Sequence, residues 1–147
     1  MIAFNEVSEL VRLALRLERK LKDFYDVAEV ALQNPESKRV VAQLRDRLEE
    51  KLAALAAVDV KRFGRGEYLK VAPDLREDEV VPRRGITRSS TPGEIIARIL
   101  ASEERLQRFY AEVSEKLVVR DQKDLFASLA AFKEAQLSDI RQLQPAP

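Results

Sequence analysis

The chain has no histidine, no cysteine and no tryptophan, and four glycines among its 147 residues. Without cysteine there is no disulfide, no thiolate metal site and no thiol nucleophile. Without histidine there is no imidazole base and no imidazole ligand. An excess of charge is also missing. Lys and Arg number 26 against 25 Asp and Glu, a formal net charge of +1, which removes the electrostatic motive for binding nucleic acid. No run approaches the roughly 18 apolar residues of a membrane-spanning helix. The opening MIAFNEVSEL carries acids where a secretory signal would carry lysines, so a cytoplasmic location and no membrane contact are expected. Glycine-rich phosphate loops, Ser-His-Asp sets and base-stacking aromatic arrays are absent too, which leaves phosphoryl transfer, acyl transfer and nucleic-acid readout without candidates.

What is present is helical periodicity. Phe4, Val7, Val11, Ala14, Leu21, Tyr25, Ala28 and Leu32 recur at spacings of three and four, and Leu10, Leu17, Phe24 and Ala31 widen that stripe. Asn34-Pro35-Glu36 supplies an N-cap, a first-turn proline and an early acid for a second helix through Val40, Val41, Leu44, Leu48, Leu52 and Leu55. Three of the four glycines, Gly64, Gly66 and Gly85, fall within residues 61–91, a stretch with no sustained period, and the fourth, Gly93, follows just beyond it. Thr91-Pro92-Gly93-Glu94 then has capping-box spacing. A third stripe follows through Ile95, Ile96, Ile99, Leu106, Tyr110, Val113 and Leu117, and a fourth through Leu125, Phe126, Leu129, Phe132, Leu137 and Ile140. The expectation is one domain, 1–147, with helices at about 3–33, 35–60, 92–118 and 121–143, a linker at 61–91 and a frayed tail from Gln144.

The two halves repeat. At a constant offset of 85, Glu18 matches Glu103, Leu21 matches Leu106, and Phe24-Tyr25 matches Phe109-Tyr110; further on, Leu44 matches Leu129, Glu49 matches Glu134 and Leu52 matches Leu137. Two related helical hairpins joined by a long connection point to a four-helix bundle with one crossover, because an up-down bundle needs no such length. Glu18 and Glu103 both fall on apolar stripes. A carboxylate withdrawn from water costs several kcal/mol on an order-of-magnitude scale, so two inward acids call for a metal, lysines, tyrosines or a proton. Tyr25 and Tyr110 read as packing residues with satisfied hydroxyls, or else as hydrogen-bonding or radical residues of an oxidative site.

On Glu18-Phe24-Tyr25 and Glu103-Phe109-Tyr110 the chain resembles the ferritin-like superfamily and, within it, the rubrerythrin-like group. The resemblance implies an all-α fold: a ferritin-like antiparallel four-helix bundle made of two repeated hairpins joined by a long crossover. It also implies that each half descends from one Glu on the first helix and a Glu-x-x-His pair on the second, together a di-iron or di-manganese site. Glu18 and Glu103 then occupy first-helix ligand positions. One register equates Glu49-x-x-Leu52 and Glu134-x-x-Leu137 with the Glu-x-x-His pairs. The other, one residue earlier, puts Leu48-x-x-Lys51 and Lys133-x-x-Gln136 at those positions, and helical phase favours it. Neither register restores a histidine.

Two expectations follow. The first is a non-catalytic bundle that has lost its di-iron site, holds no cofactor, and serves a binding, regulatory or structural role. In it Glu18 and Glu103 meet Lys51, Lys133 and Gln136 in an internal charge cluster. The alternative is a divergent dimetal-carboxylate protein holding iron or manganese through Glu18, Glu49, Glu103 and Glu134, with ferroxidase, peroxidase-type or metal-storage activity. Leu13, Leu15 and Leu17 broaden the apolar arc of the first helix, which with the resemblance points to a homo-oligomer, a dimer. The linker carries Lys61, Arg62, Arg65, Lys70, Arg76, Arg83, Arg84 and Arg88 against Glu67, Asp74, Glu77, Asp78 and Glu79, a mixture that reads as solvated surface.

Overall fold

A computed structural model describes residues 5–58, 68–69, 75–81 and 90–143. Four long helices, α1 (Val7–Ala31), α2 (Pro35–Ala56), α4 (Pro92–Lys116) and α5 (Arg120–Arg141), pack as two hairpins, α1 with α2 and α4 with α5. A short strand pair, β1 (Asn5–Glu6) and β2 (Tyr68–Leu69), and one helical turn, α3 (Glu77–Val80), complete the described elements. The repeat survives as length: α1 and α4 each have 25 residues, α2 and α5 each 22.

Local chemistry sets the helix starts. Asn34 caps α2, its side-chain oxygen accepting from the Glu36 and Ser37 amides at 2.9 and 3.1 Å, with Pro35 in the first turn. Thr91 and Glu94 form a reciprocal capping box on α4, satisfying two amide donors that the helix itself leaves without partners. The position of α5 equivalent to Asn34 is Val119, which has no capping side chain, so the repeat is chemically unequal at its turns. Leu32 and Leu117 are both buried and close the ends of α1 and α4, their backbone N–H groups donating hydrogen bonds to the Ala28 and Val113 carbonyls. Leu17, Leu21, Leu44, Leu48, Ile99, Leu106, Phe109 and Phe126 form the middle of the core. Each contributes on the order of 2 kcal/mol by leaving water. Leu13 and Leu15 are partly buried against that core, Ala31 is exposed, and Phe4 lies outside the described residues.

Contacts between the hairpins fix their relative direction. Tyr25 meets Glu103 and Tyr110 meets Glu18, so α1 and α4 run antiparallel. Leu44 meets Gln136 and Lys51 meets Ser128, so α2 and α5 do as well. The end of α2 and the start of α4 therefore lie at opposite ends of the bundle. The chain between them must travel about 33 Å, the length of a 22-residue helix. This is why the connection is long.

That connection carries structure which the absence of a period did not anticipate. β2 pairs antiparallel with β1, and α3 lies across α1 and α4, with Val80 buried, its carbonyl accepting from Ser102, and Glu77 bound to Lys20 at 2.5 Å. Apolar Leu75, Val80 and Val81 seat it on the core. Arg76 pairs with Glu79, as a solvated surface would, whereas Lys61, Arg62, Arg65, Lys70, Arg83, Arg84 and Arg88 fall outside the described residues, as does the tail from Gln144. The helices are also shorter than the pattern suggested: α1 stops at Ala31 and α2 at Ala56.

The capping box gives a direct test. Thr91→Ala is expected to lower unfolding free energy by about 1 kcal/mol in urea titrations, because the Glu94 amide loses its acceptor. Val119→Ala, which removes no cap, should change it by less than about half of that.

A buried carboxylate-ammonium cluster as the candidate functional site

At the middle of the bundle α1 contributes Glu18 and Tyr25, α4 contributes Glu103 and Tyr110, and α5 contributes Lys133. Their spacing explains their meeting. Glu18 to Tyr25 and Glu103 to Tyr110 are each seven residues, two helical turns, so acid and phenol share one face. Because α1 and α4 are antiparallel, the acid of each helix comes level with the phenol of the other. Tyr25 donates to Glu103 Oε1, and Tyr110 donates to Glu18 Oε2 at 2.7 Å. The two bonds interchange under the 85-residue offset.

Lys133 breaks that symmetry. Its Nζ lies 2.5 Å from Glu18 Oε1, and 3.3 and 3.1 Å from Glu103 Oε1 and Oε2. Neither Lys133 nor Glu103 has measurable solvent exposure. The equivalent residue in the first half is Leu48, fully buried and apolar. Phe109 and Phe126 flank Tyr110 at ring-centroid separations of 5.7 and 6.2 Å, and the Phe132 ring lies 5.4 Å from the Lys133 ammonium. Taking these charges out of water costs several kcal/mol per ion, on an order-of-magnitude scale, and only close pairing offsets it.

The surroundings shift every resolved proton equilibrium upward. Burial, reinforced by the facing carboxylates, holds the Tyr25 and Tyr110 phenols well above their ordinary range. Burial alone would lower the Lys133 ammonium, but Glu103 and Glu18 more than reverse it, and the net shift is upward. Burial raises the Glu103 carboxyl, Lys133 opposes, and the charge of Glu18 adds to the rise. A group whose folded pKa lies above its unfolded value stabilises the fold below that unfolded value, and its contribution is lost as pH rises through the folded one. For Lys133 and the tyrosines that loss begins above their ordinary values of 10.5 and 10.0.

The other residues singled out by sequence divide. Gln136 is buried one turn beyond Lys133 and donates to the Leu44 carbonyl at 3.1 Å, tying α5 to α2. Lys51 does not join the cluster, contrary to the sequence expectation. It is half-buried, donates to Ser128 Oγ at 3.2 Å and lies 5.6 Å from the Phe132 ring. Its long stem lets the ammonium escape to the surface, while Lys133 is enclosed by packed rings. Glu49 and Glu134 are exposed, and Glu49 pairs with Lys22 at 3.5 Å. The register with Leu48, Lys51, Lys133 and Gln136 is thus the inward one. Among the described residues no group of three or more carboxylates gathers as a metal ligand set.

Sequence reasoning missed the clasp between α3 and α4: Arg105 to Glu79 and Ser102 to the Val80 carbonyl. The apolar pair Val80-Val81 within an acidic stretch was its visible signal.

The fold and site define an all-α bundle of two hairpins whose core is built on a buried acid-ammonium cluster. A hypothetical protein from Pyrococcus furiosus has a similar structure, with a TM-score of 0.69, 17% identity, and coverage of 95% of this chain and 88% of that one. At that identity the likeness establishes the fold alone. No family model and no curated protein matches the chain.

Lys133→Met leaves two buried carboxylates without their cation and is expected to destabilise the fold by about 3–5 kcal/mol. Lys51→Met should cost no more than about 1 kcal/mol, as for an exposed polar contact. Chemical denaturation of both variants measures the contrast, and equal losses would contradict the geometry described.

Proposed function

We propose that this chain is a ferritin-like bundle of the rubrerythrin-like group in which an internal salt cluster stands where relatives hold a dimetal centre. It then works as a non-catalytic binding, regulatory or structural protein. The observation that carries this reading is the position of Lys133. Its ammonium lies against one oxygen of Glu18 and both oxygens of Glu103, the lone pairs that a bridging cation would need. Tyr110 engages the remaining Glu18 oxygen. Glu49 and Glu134, the only other acids in the alternative ligand set, are on the surface. The donor set therefore does not fit two iron or manganese ions. Descent from a duplicated hairpin is supported by the interchange of Tyr25–Glu103 with Tyr110–Glu18, by the equal helix lengths, and by the long crossover.

Elemental analysis of protein expressed with added iron and manganese should find neither ion in stoichiometric amount. Two ions per chain would overturn the reading and restore the dimetal alternative.

The assembly accompanying this reading is a homodimer. Val27 and Val30 leave 51% and 81% of their surface exposed on α1, whereas Leu13, Leu15 and Leu17 pack into or against the chain's own core. Size-exclusion chromatography with light scattering should give twice the chain mass, and a monomer at all concentrations would rule the dimer out.

A further inference from the structure

The two sides of the contact between α3 and the bundle are unequal. One side stands on long helices, with Lys20 on α1 and Ser102 and Arg105 on α4. The other is a single turn of four residues, Glu77–Val80, far below the length at which a helix holds itself together. Its shape is therefore imposed by the groove between α1 and α4, both of which it touches.

What that groove recognises can be read from its occupant. Glu77 pairs with Lys20 at 2.5 Å, and Glu79 pairs with Arg105. Val80 follows directly, fully enclosed, with its carbonyl accepting from Ser102 Oγ. Lys20 holds the Glu77 carboxyl below its ordinary range, with the charge of Arg16 adding to the effect, and Arg105 does the same for Glu79. The groove thus selects two ionised carboxylates two residues apart, then an aliphatic side chain and the carbonyl of the same residue.

Ser102 shows that the groove can be vacated. Its hydroxyl has one hydrogen and two acceptors in reach, the Val80 carbonyl and, at 3.0 Å, the Arg98 carbonyl one turn back in its own helix. When α3 leaves, that hydrogen turns to Arg98 and no buried donor loses its partner. Lys20 and Glu77 are nearly half exposed, and exposed ion pairs add little stability. A short turn held in this way opens well before the bundle unfolds.

We infer that the groove between α1 and α4 is a docking site for a segment of a partner protein with the order acid-x-acid-aliphatic, and that α3 is an internal ligand keeping it closed until such a segment displaces it. This names a partner class for the binding role proposed above and rests on that role. Charge complementarity identifies the occupant: a purely apolar segment would leave Lys20 and Arg105 facing no anion, and a purely acidic one would leave the seat of Val80 unfilled.

The test uses the full chain carrying Glu77→Ala, Glu79→Ala and Val80→Ser, which empties the groove. The probe is a fluorescein-labelled peptide Leu-Arg-Glu-Asp-Glu-Val-Val, the order of residues 75–81. Fluorescence anisotropy should show saturable binding to this variant at least about tenfold tighter than to wild type, where tethered α3 competes at high effective concentration. Adding Arg105→Glu should abolish the binding, as should lysine in place of the first and third of the peptide's acids. No saturable binding to the folded variant, or equal binding of the lysine peptide, would overturn the inference. A wild-type dimer that becomes monomeric in the variant would also overturn it, by making the second copy the occupant. Should the variant fail to fold, amide hydrogen exchange of wild type decides. The Glu79 and Val81 amides, bonded to the Arg76 and Glu77 carbonyls, should exchange about a hundredfold faster than amides in the middle of α4, and exchange only through global unfolding would refute displacement. Two metal ions per chain would overturn the binding role itself, which the peptide measurement does not address.

Discussion

The ammonium of Lys133, enclosed between the carboxylates of Glu18 and Glu103, is the interaction on which the centre of the bundle depends. It joins α1, α4 and α5 at a single point, and each of its partners is held in turn by a phenol from another helix. An ion placed in such a setting is costly by itself and tolerable only in company, so the five side chains stand or fall together. The surrounding apolar residues stabilise many possible packings of four helices. This cluster accepts one, because a slip of one turn between α1 and α4 would leave carboxylates facing leucines.

The same cluster shows how a duplicated architecture becomes unequal. Tyr25–Glu103 and Tyr110–Glu18 are interchangeable, as are the helix lengths and the closing leucines. Lys133 and Leu48 are not. A single cation cannot sit symmetrically between two acids without leaving each half-satisfied, and here it sits nearer Glu18, while Glu103 Oε2 has the ammonium 3.1 Å away but no hydrogen bond among the described residues. A metal ion, free to take several oxygens from both sides, would suit the symmetric arrangement. A tethered ammonium reaches from one side only.

Around this centre the crossover has a structural task. Antiparallel α1 and α4 oblige the chain to return the length of the bundle, and α3 uses that passage to cover the core, with Val80 beneath it and Arg105 bound to Glu79 above. The return is thus both connection and lid over one side of the helix pair.

From sequence, the four helices, the caps at Asn34 and Thr91, and the inward placement of Glu18 and Glu103 were all legible, since each follows from spacing within one helix and periodicity of 3.6 is a local property. That Lys133 would be enclosed while Lys51 reached the surface was not. Both lie in the inward register, Lys133 opposite Leu48 in the repeat and Lys51 opposite Gln136, and their stems are equally long. Nor were α3 and its seat on α4 legible, because four residues are too few to carry a period. The amino-acid order alone determined which faces would be apolar and which acids would turn inward. Tertiary packing decided which lysine meets them: an ammonium stays in a core only where rings and leucines from three helices close off its route to water, and that closure exists only once the helices have assembled.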